Sequence, residues 1–270
     1  MPNTTGEIRE GGVTAMKRES GNLPGEMERL LEGILHDGCR KDELMHIEPG
    51  VVDGAKIILG AVTGVASVGM VAKLAIDQVK QEGSFLALVG RSVVASAMVL
   101  GFFEFLPHPP VGVSEVHLIL GTTLFLILGA VPTAIGLIVG LTFQSLLFAP
   151  SDIPQLGLNL TTLVVPVLAM AAVARRIIPS DTPYTDVTYA QAAKLSVVFQ
   201  GGVVSWVAFW VFFGQGFTAE TLANAGAFAS VYIIVVLLEP LIDLGALALA
   251  KTFTRFESTG LPHARLYQPA

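Results

Sequence analysis

The sequence predicts an all-α membrane protein with about seven transmembrane helices in one polytopic bundle, and two observations support this. Only 14% of the residues are charged and 52% are hydrophobic, whereas about a quarter of the residues in a soluble domain are charged. Apolar stretches of about 20 residues recur along the chain, and this is the length that a helix needs to cross a bilayer. The composition therefore excludes a soluble globular fold.

Seven apolar stretches fit this length, and short polar or Gly/Pro-containing segments separate them. Gly129 and Pro132 mark the turn between the third stretch and the fourth. The predicted spans cover roughly residues 55–75, 85–106, 116–131, 133–149, 160–175, 194–213 and 226–249. We expect three parts: a polar N-terminal extension at 1–44, a transmembrane domain at 45–250 and a cytoplasmic tail at 251–270.

Among the loops that connect the predicted spans, only one set carries basic side chains, and this predicts the orientation of the bundle. The chain carries lysine or arginine after spans one, five and seven, but none at 107–115, 149–158 or 214–225. Short loops rich in lysine and arginine stay on the cytoplasmic side of a membrane. The C-terminus is therefore expected in the cytoplasm, and residues 45–54 are expected outside.

Several classes of protein and of site find no support in the sequence. The single cysteine, Cys39, excludes an internal disulfide framework and a cysteine-cluster metal site. There is no basic patch or motif typical of nucleic-acid binding. Neither the phosphate-binding GxxxxGK[ST] loop nor the HExxH metalloprotease motif is present, so we do not expect an enzyme.

An unusual set of polar groups falls at the predicted outer face. These groups are Met45-His46-Ile47-Glu48, His108, Glu115, His117 and Asn159. Neutral imidazole is a good ligand for nickel, cobalt, copper and zinc, and polar groups between helices often mark a substrate path. On spacing alone, a solvated histidine near a helix end is the more common explanation of such a pattern.

Three segments, in this order, resemble the CbiM/NikM family, the substrate-capture components of energy-coupling-factor cobalt and nickel transporters. The first is Met-His-Ile followed by a Gly-containing turn, and the second is a histidine before a Leu/Gly-rich helix. The third is a Gln-Ser-Leu-Leu-Phe stretch followed by Asp and then Leu-Gly-Leu-Asn. Here they read Met45-His46-Ile47-Glu48-Pro49-Gly50, Gly112-Val-Ser-Glu-Val-His117-Leu-Ile-Leu-Gly121, and Gln144 to Asn159. The resemblance covers residues 45 to about 250.

The resemblance implies a planar metal site built from nitrogen ligands. Its ligands would be the amine of Met45, the backbone nitrogen and imidazole of His46, and the imidazole of His117. Tetragonal nitrogen coordination suits Ni(II) and Cu(II), whereas zinc prefers a tetrahedron. Asn159 would make a second-shell hydrogen bond that orients a ligand, although it also suits the N-cap of the fifth helix.

The resemblance also implies the cargo, the partners and the membrane. The chain would carry no resident cofactor and would transport Co²⁺ or Ni²⁺ across the inner membrane of a bacterium. A separate transmembrane coupling protein and ATPase subunits would supply the energy. A vitamin-capture subunit of the same transporter class and an intramembrane metal-dependent enzyme are the alternatives.

The chain departs from the family pattern near the expected site. Thr162 and Leu163 replace an Asn and a Met, and Glu115 and Val116 replace small residues before the histidine. Glu115 is expected either to attract cations or to pair with Lys56.

The largest departure is that 44 residues precede Met45, whose amine should be free. We favour translation starting at Met45, because the extension would place six basic residues outside without a signal to carry them. A real extension that leaves the site without its amine, or proteolytic exposure of Met45, are the alternatives.

Carboxylates within the spans complete the set of candidate functional residues. Glu104 lies in span two, and Glu239 and Asp243 lie one turn apart in span seven. Such groups are costly in a membrane and often functional. Pairing with a neighbouring helix and a proton or metal relay are both open for Glu239 and Asp243.

Overall fold

Seven α-helices make up most of the computed structural model, which describes residues 47, 50–106, 108, 110–111, 113–179, 182–183 and 186–252. All of these residues belong to one compact unit, Leu44–Ala270. The helices are α1 (Ile57–Glu82), α2 (Phe85–Phe105), α3 (Gly121–Leu128), α4 (Ala130–Leu147), α5 (Leu156–Ile177), α6 (Tyr189–Gln215) and α7 (Ala219–Thr252). Short 3-10 helices precede α1 at Gly54–Lys56 and α5 at Pro150–Gln155.

The predicted class of an all-α polytopic membrane bundle is confirmed. Within the described ranges, six helices are long and apolar enough to cross a membrane, and only α3 is not. Large apolar side chains such as Val65, Leu86 and Leu237 point away from the core and are largely exposed. An apolar outer surface of this kind suits contact with lipid.

The third predicted span, 116–131, is broken in the structure. Its helix, α3, has eight residues and rises only about 12 Å, less than half of a hydrocarbon core of about 30 Å. The residues before it are not helical, and Leu120 has a left-handed backbone with φ 53°. Gly129 then separates α3 from α4 with φ 96°, so a continuous helix cannot form through either point.

The broken segment is tolerated because protein surrounds it. Seven of the eight residues of α3 are buried, as are Val116, His117, Ile119 and Leu120 before it. Non-helical backbone at membrane depth occurs only where protein or a water-filled cavity encloses it. The segment predicted as the third span is therefore an extended stretch followed by a half-length helix, both of them buried in the bundle.

Glycines bring the surrounding helices into close contact. A methyl group at Gly136 of α4 would lie 2.5 Å from Cβ of Ala95 in α2. A methyl group at Gly64 of α1 would lie 2.7 Å from the Cα of Gly157 in α5. Such contacts leave no room for a side chain and increase van der Waals packing between helices in lipid.

We expect Gly64→Ala to destabilise the bundle, because its new methyl group would meet the Gly157 backbone, which cannot move alone. The expected loss in free energy of unfolding is about 1–3 kcal/mol. Thermal unfolding of detergent-purified protein, followed by the fluorescence of Trp206 and Trp210, measures it. Gly69→Ala in the same helix is the matched control, because nothing lies within 4 Å of its Cβ position. Equal melting temperatures for the two variants would contradict the tight α1–α5 contact.

Candidate metal centre

Two short strands place the backbone around His117 beside the backbone that follows His46. Strand β1 (Pro110–Val111) pairs antiparallel with β2 (Ser114–Glu115). Ile47 forms an antiparallel bridge with Ser114 on β2. The first and second segments of the family resemblance, which are far apart in the sequence, therefore meet through main-chain pairing.

Asn159 connects the segment that begins at Ile47 to α5 by a hydrogen bond. The backbone N–H of Ile47 donates to Oδ1 of Asn159 over 3.4 Å, and both residues are buried. Helix α5 begins at Leu156, with Gln155 at its N-cap position, so the N-cap alternative for Asn159 is wrong. The buried Nδ2 of Asn159 has no hydrogen-bond partner among the residues that the structure describes.

A carboxylate and an imidazole form a buried pair next to this bridge. Oε2 of Glu115 lies 3.2 Å from Nε2 of His117, and their side chains are 5% and 6% exposed. Because the two residues are separated by one position in an extended stretch, their side chains point to the same side. The structure pairs Glu115 with His117 and not with Lys56, whose Nζ donates to the backbone oxygen of Gly214 over 2.9 Å.

Two rings hold the imidazole of His117. Phe103 of α2 meets it edge to face, with ring centroids 5.2 Å apart. His108 stacks on it at 5.4 Å, with the ring planes 16° apart, and Nδ1 of His108 lies 2.9 Å from the backbone oxygen of Leu106. The His117 ring therefore has little freedom to rotate.

These groups line a small cavity of about 30 Å³. Ile47, Glu115, His117 and Asn159 contribute to its wall, and apolar side chains of α2, α6 and α7 surround them. A single water needs about 10–15 Å³ of such space. The cavity therefore accommodates one or two water-sized occupants or a metal ion.

The structure tests the predicted ligands only in part. Met45 and His46 lie outside the described residues, whereas His117 and Asn159 line one cavity. Within the described ranges no group of three or more His, Cys, Asp or Glu residues is arranged to hold a metal ion. The expected four-nitrogen site therefore remains a prediction.

Two features of the cavity escaped the sequence analysis. The Glu115–His117 contact could have been predicted, because side chains two positions apart in an extended stretch lie on the same side. Tyr232 of α7 also lines the cavity, and its buried hydroxyl has no hydrogen-bond partner within the described part of the chain. A lone tyrosine in an apolar helix gave no signal of this position.

Replacing Asn159 by Ala should free the segment that begins at Ile47. The Ile47 amide would lose its acceptor, and a lost buried hydrogen bond costs about 1–3 kcal/mol, so hydrogen–deuterium exchange should accelerate at least about fivefold. Exchange of the Ile47 peptide, followed by mass spectrometry, measures it. Thr162→Ala is the control, because its hydroxyl donates to Leu158 within α5. Unchanged exchange in the Asn159 variant would show that this contact does not hold the segment.

A comparison with protein-family models gives a match over most of the chain. The family model CbiM, described as a cobalt uptake substrate-specific transmembrane region, matches residues 46–255. The match includes every residue that lines the cavity. Neither the curated proteins nor the solved structures gave a match. The chain belongs to the CbiM family, and it is a multi-pass membrane component of cobalt uptake.

Proposed function

We propose that this protein captures Co²⁺ or Ni²⁺ at the cavity and acts as the substrate-binding component of an energy-coupling-factor transporter. The observation that carries the proposal is the bridge between Ile47 and Ser114. It places the chain that follows His46 next to the buried Glu115–His117 pair. Membership of a cobalt-uptake family supports an ion as the cargo.

The proposed ligands are the amine of Met45, the backbone nitrogen and imidazole of His46, and the imidazole of His117. Ile47 lines the cavity, and two residues of chain extend at most about 7 Å. Met45 and His46 are therefore within reach of the cavity. An amine, the adjacent amide and an imidazole form fused chelate rings, and a fourth nitrogen completes a square suited to Ni(II).

Glu115 has a defined role in this proposal. In this proposal Nε2–H of His117 faces the carboxylate 3.2 Å away, so that Nδ1 carries the lone pair that binds a cation. A carboxylate behind a ligating histidine fixes its tautomer and makes it a stronger base. Asn159 also positions a part of the proposed site, because it holds the backbone of Ile47 next to the ligating residues.

The proposed orientation places the cavity toward the outside of a bacterial inner membrane. Asn159 lies in the first turn of α5, whereas Arg175 and Arg176 lie in its last turn. Basic residues favour the cytoplasmic side, so the cavity is near the opposite surface. ATP hydrolysis would come from ATPase subunits through a transmembrane coupling protein, since the chain has no phosphate-binding loop.

The size of the cavity favours an ion over a vitamin. Its volume is about 30 Å³, whereas sites for organic ligands measure about 300–1,000 Å³. A vitamin would require the helices around the cavity to separate widely.

His117→Ala and His46→Ala should each abolish high-affinity binding of Co²⁺ and Ni²⁺, because each removes a nitrogen ligand. Isothermal titration calorimetry of detergent-purified protein measures the affinity for both metals. His263→Ala, which lies beyond the residues matched by the family model, is the control and should bind like the unaltered chain. Unchanged affinity in the His117 variant would refute the proposed site.

A free amine at Met45 should strengthen metal binding. We expect the chain that begins at Met45 to bind at least about tenfold more tightly than the full chain, because the amine completes the chelate. The same titration on both forms measures the difference, and N-terminal sequencing of protein from native cells identifies the form that works there. Equal affinities would remove the amine from the ligand set.

A further inference from the structure

The start of α3 poses a chemical problem inside the bundle. The first amides of any helix have no partner within the helix, and here they lie among buried residues. The first helical bond of α3 runs from the N–H of Leu124 to the oxygen of Leu120. The preceding amides therefore need acceptors from elsewhere, because hydrocarbon offers none.

Glu239 of α7 supplies one of these acceptors. Its Oε1 accepts from the backbone N–H of Thr122 over 3.2 Å, and its Oε2 accepts from Nε2 of Gln200 in α6. Glu239 is completely buried. Of the two alternatives for this residue, the structure shows contact with neighbouring helices.

The capped end of α3 is directly connected to the cavity. Thr122 follows His117 by five residues, and the intervening stretch contains Leu120 in its left-handed conformation. On the other side, Gly121 packs so closely on Phe199 of α6 that a methyl group would lie 2.4 Å from its ring. Glu115 and His117 lie in the extended stretch that leads into α3. The position of α3 therefore fixes the C-terminal end of this stretch.

We propose that Glu239 is a positioning residue for metal capture, which it serves by anchoring the N-terminus of α3 and thereby holding His117 at the cavity. The inference rests on the proposed function, since it assigns Glu239 to the same metal site. Glu239 does not line the cavity, and it acts through the backbone of Thr122. For this role the Glu239 side chain must be long enough to accept from the Thr122 amide, and it need not be negatively charged.

A variant of Asp243 can show whether metal binding depends on the anchoring of α3 or on buried negative charge that attracts the cation. It is also completely buried in α7, one turn after Glu239. It accepts from the hydroxyl of Thr123, which is a side-chain contact and not a backbone cap. Removing the charge of Asp243 therefore leaves the Thr122 amide capped.

The experiment compares Glu239→Gln, Glu239→Asp, Glu239→Ala and Asp243→Asn in the same form of the chain as the His117 variant. Gln keeps the length of the side chain and an acceptor oxygen, whereas Asp keeps the charge but is shorter by one methylene. Calorimetry gives the affinity for Ni²⁺, and the absorption spectrum of bound Ni²⁺ reports whether its coordination stays planar. Melting temperatures of the metal-free proteins separate loss of fold from loss of positioning.

Anchoring predicts that the Gln and Asn variants bind Ni²⁺ within about threefold of the unaltered chain and keep its spectrum. The Asp and Ala variants should bind about 10–100-fold more weakly, as is typical when a group that orients a metal ligand is lost, and their spectra should change. If the Ala variant does not fold, the relative affinities of the Glu239→Gln and Glu239→Asp variants for Ni²⁺ still test the proposal.

Weaker binding by the Gln variant than by the Asp variant would overturn the proposal in favour of charge attraction. Unchanged affinity in all four variants would also overturn it. If His117→Ala binds like the unaltered chain, the proposed metal site itself fails, and this outcome is distinct from a failure of Glu239 alone.

Discussion

A hydrogen-bond requirement inside the membrane governs this structure. Hydrocarbon cannot pair with backbone N–H or C=O groups, so every interruption of a helix needs partners from the protein. The segment predicted as the third span, residues 116–131, is interrupted twice, at Leu120 and at Gly129. At the first interruption the carboxylate of Glu239 accepts from Thr122, and the extended stretch before it pairs with Ile47 through Ser114. At the second, Gly129 bonds to Phe125 and Thr133 in the adjoining helices.

The main-chain contacts connect distant parts of the sequence. Ile47 bridges to Ser114 and donates to Asn159, while Glu239 caps Thr122. An uninterrupted third helix would keep its backbone bonds to itself and would offer no strand edge for Ile47. The break thus gives the bundle an enclosed site without a separate domain.

Hydropathy predicted most of the bundle, because the length of an apolar run measures how much chain fits in a bilayer. It failed at the third span because α3 and the stretch before it are as apolar as a helix, and hydropathy does not report backbone angles. Leu120 gives no warning of its left-handed conformation, which glycine or asparagine would have signalled. Asn159 was recognised as an orienting group or a helix cap, and only the folded chain shows that its partner is Ile47. The cap at Thr122 was equally hidden, since residues 117 positions apart in the sequence meet there.

The charge balance of the proposed site gives the buried carboxylate of Glu115 a role. A divalent ion in an apolar cavity loses its hydration, and an uncompensated buried charge is very costly. In the site that we propose, a deprotonated amide of His46 would offset one positive charge, and the carboxylate of Glu115 beside His117 would offset the second. With neutral imidazoles and amine as the other ligands, the loaded site carries no net charge. The empty site keeps the carboxylate of Glu115 beside the imidazole of His117. The Glu115–His117 pair thus gives the buried carboxylate a partner both before capture and after it.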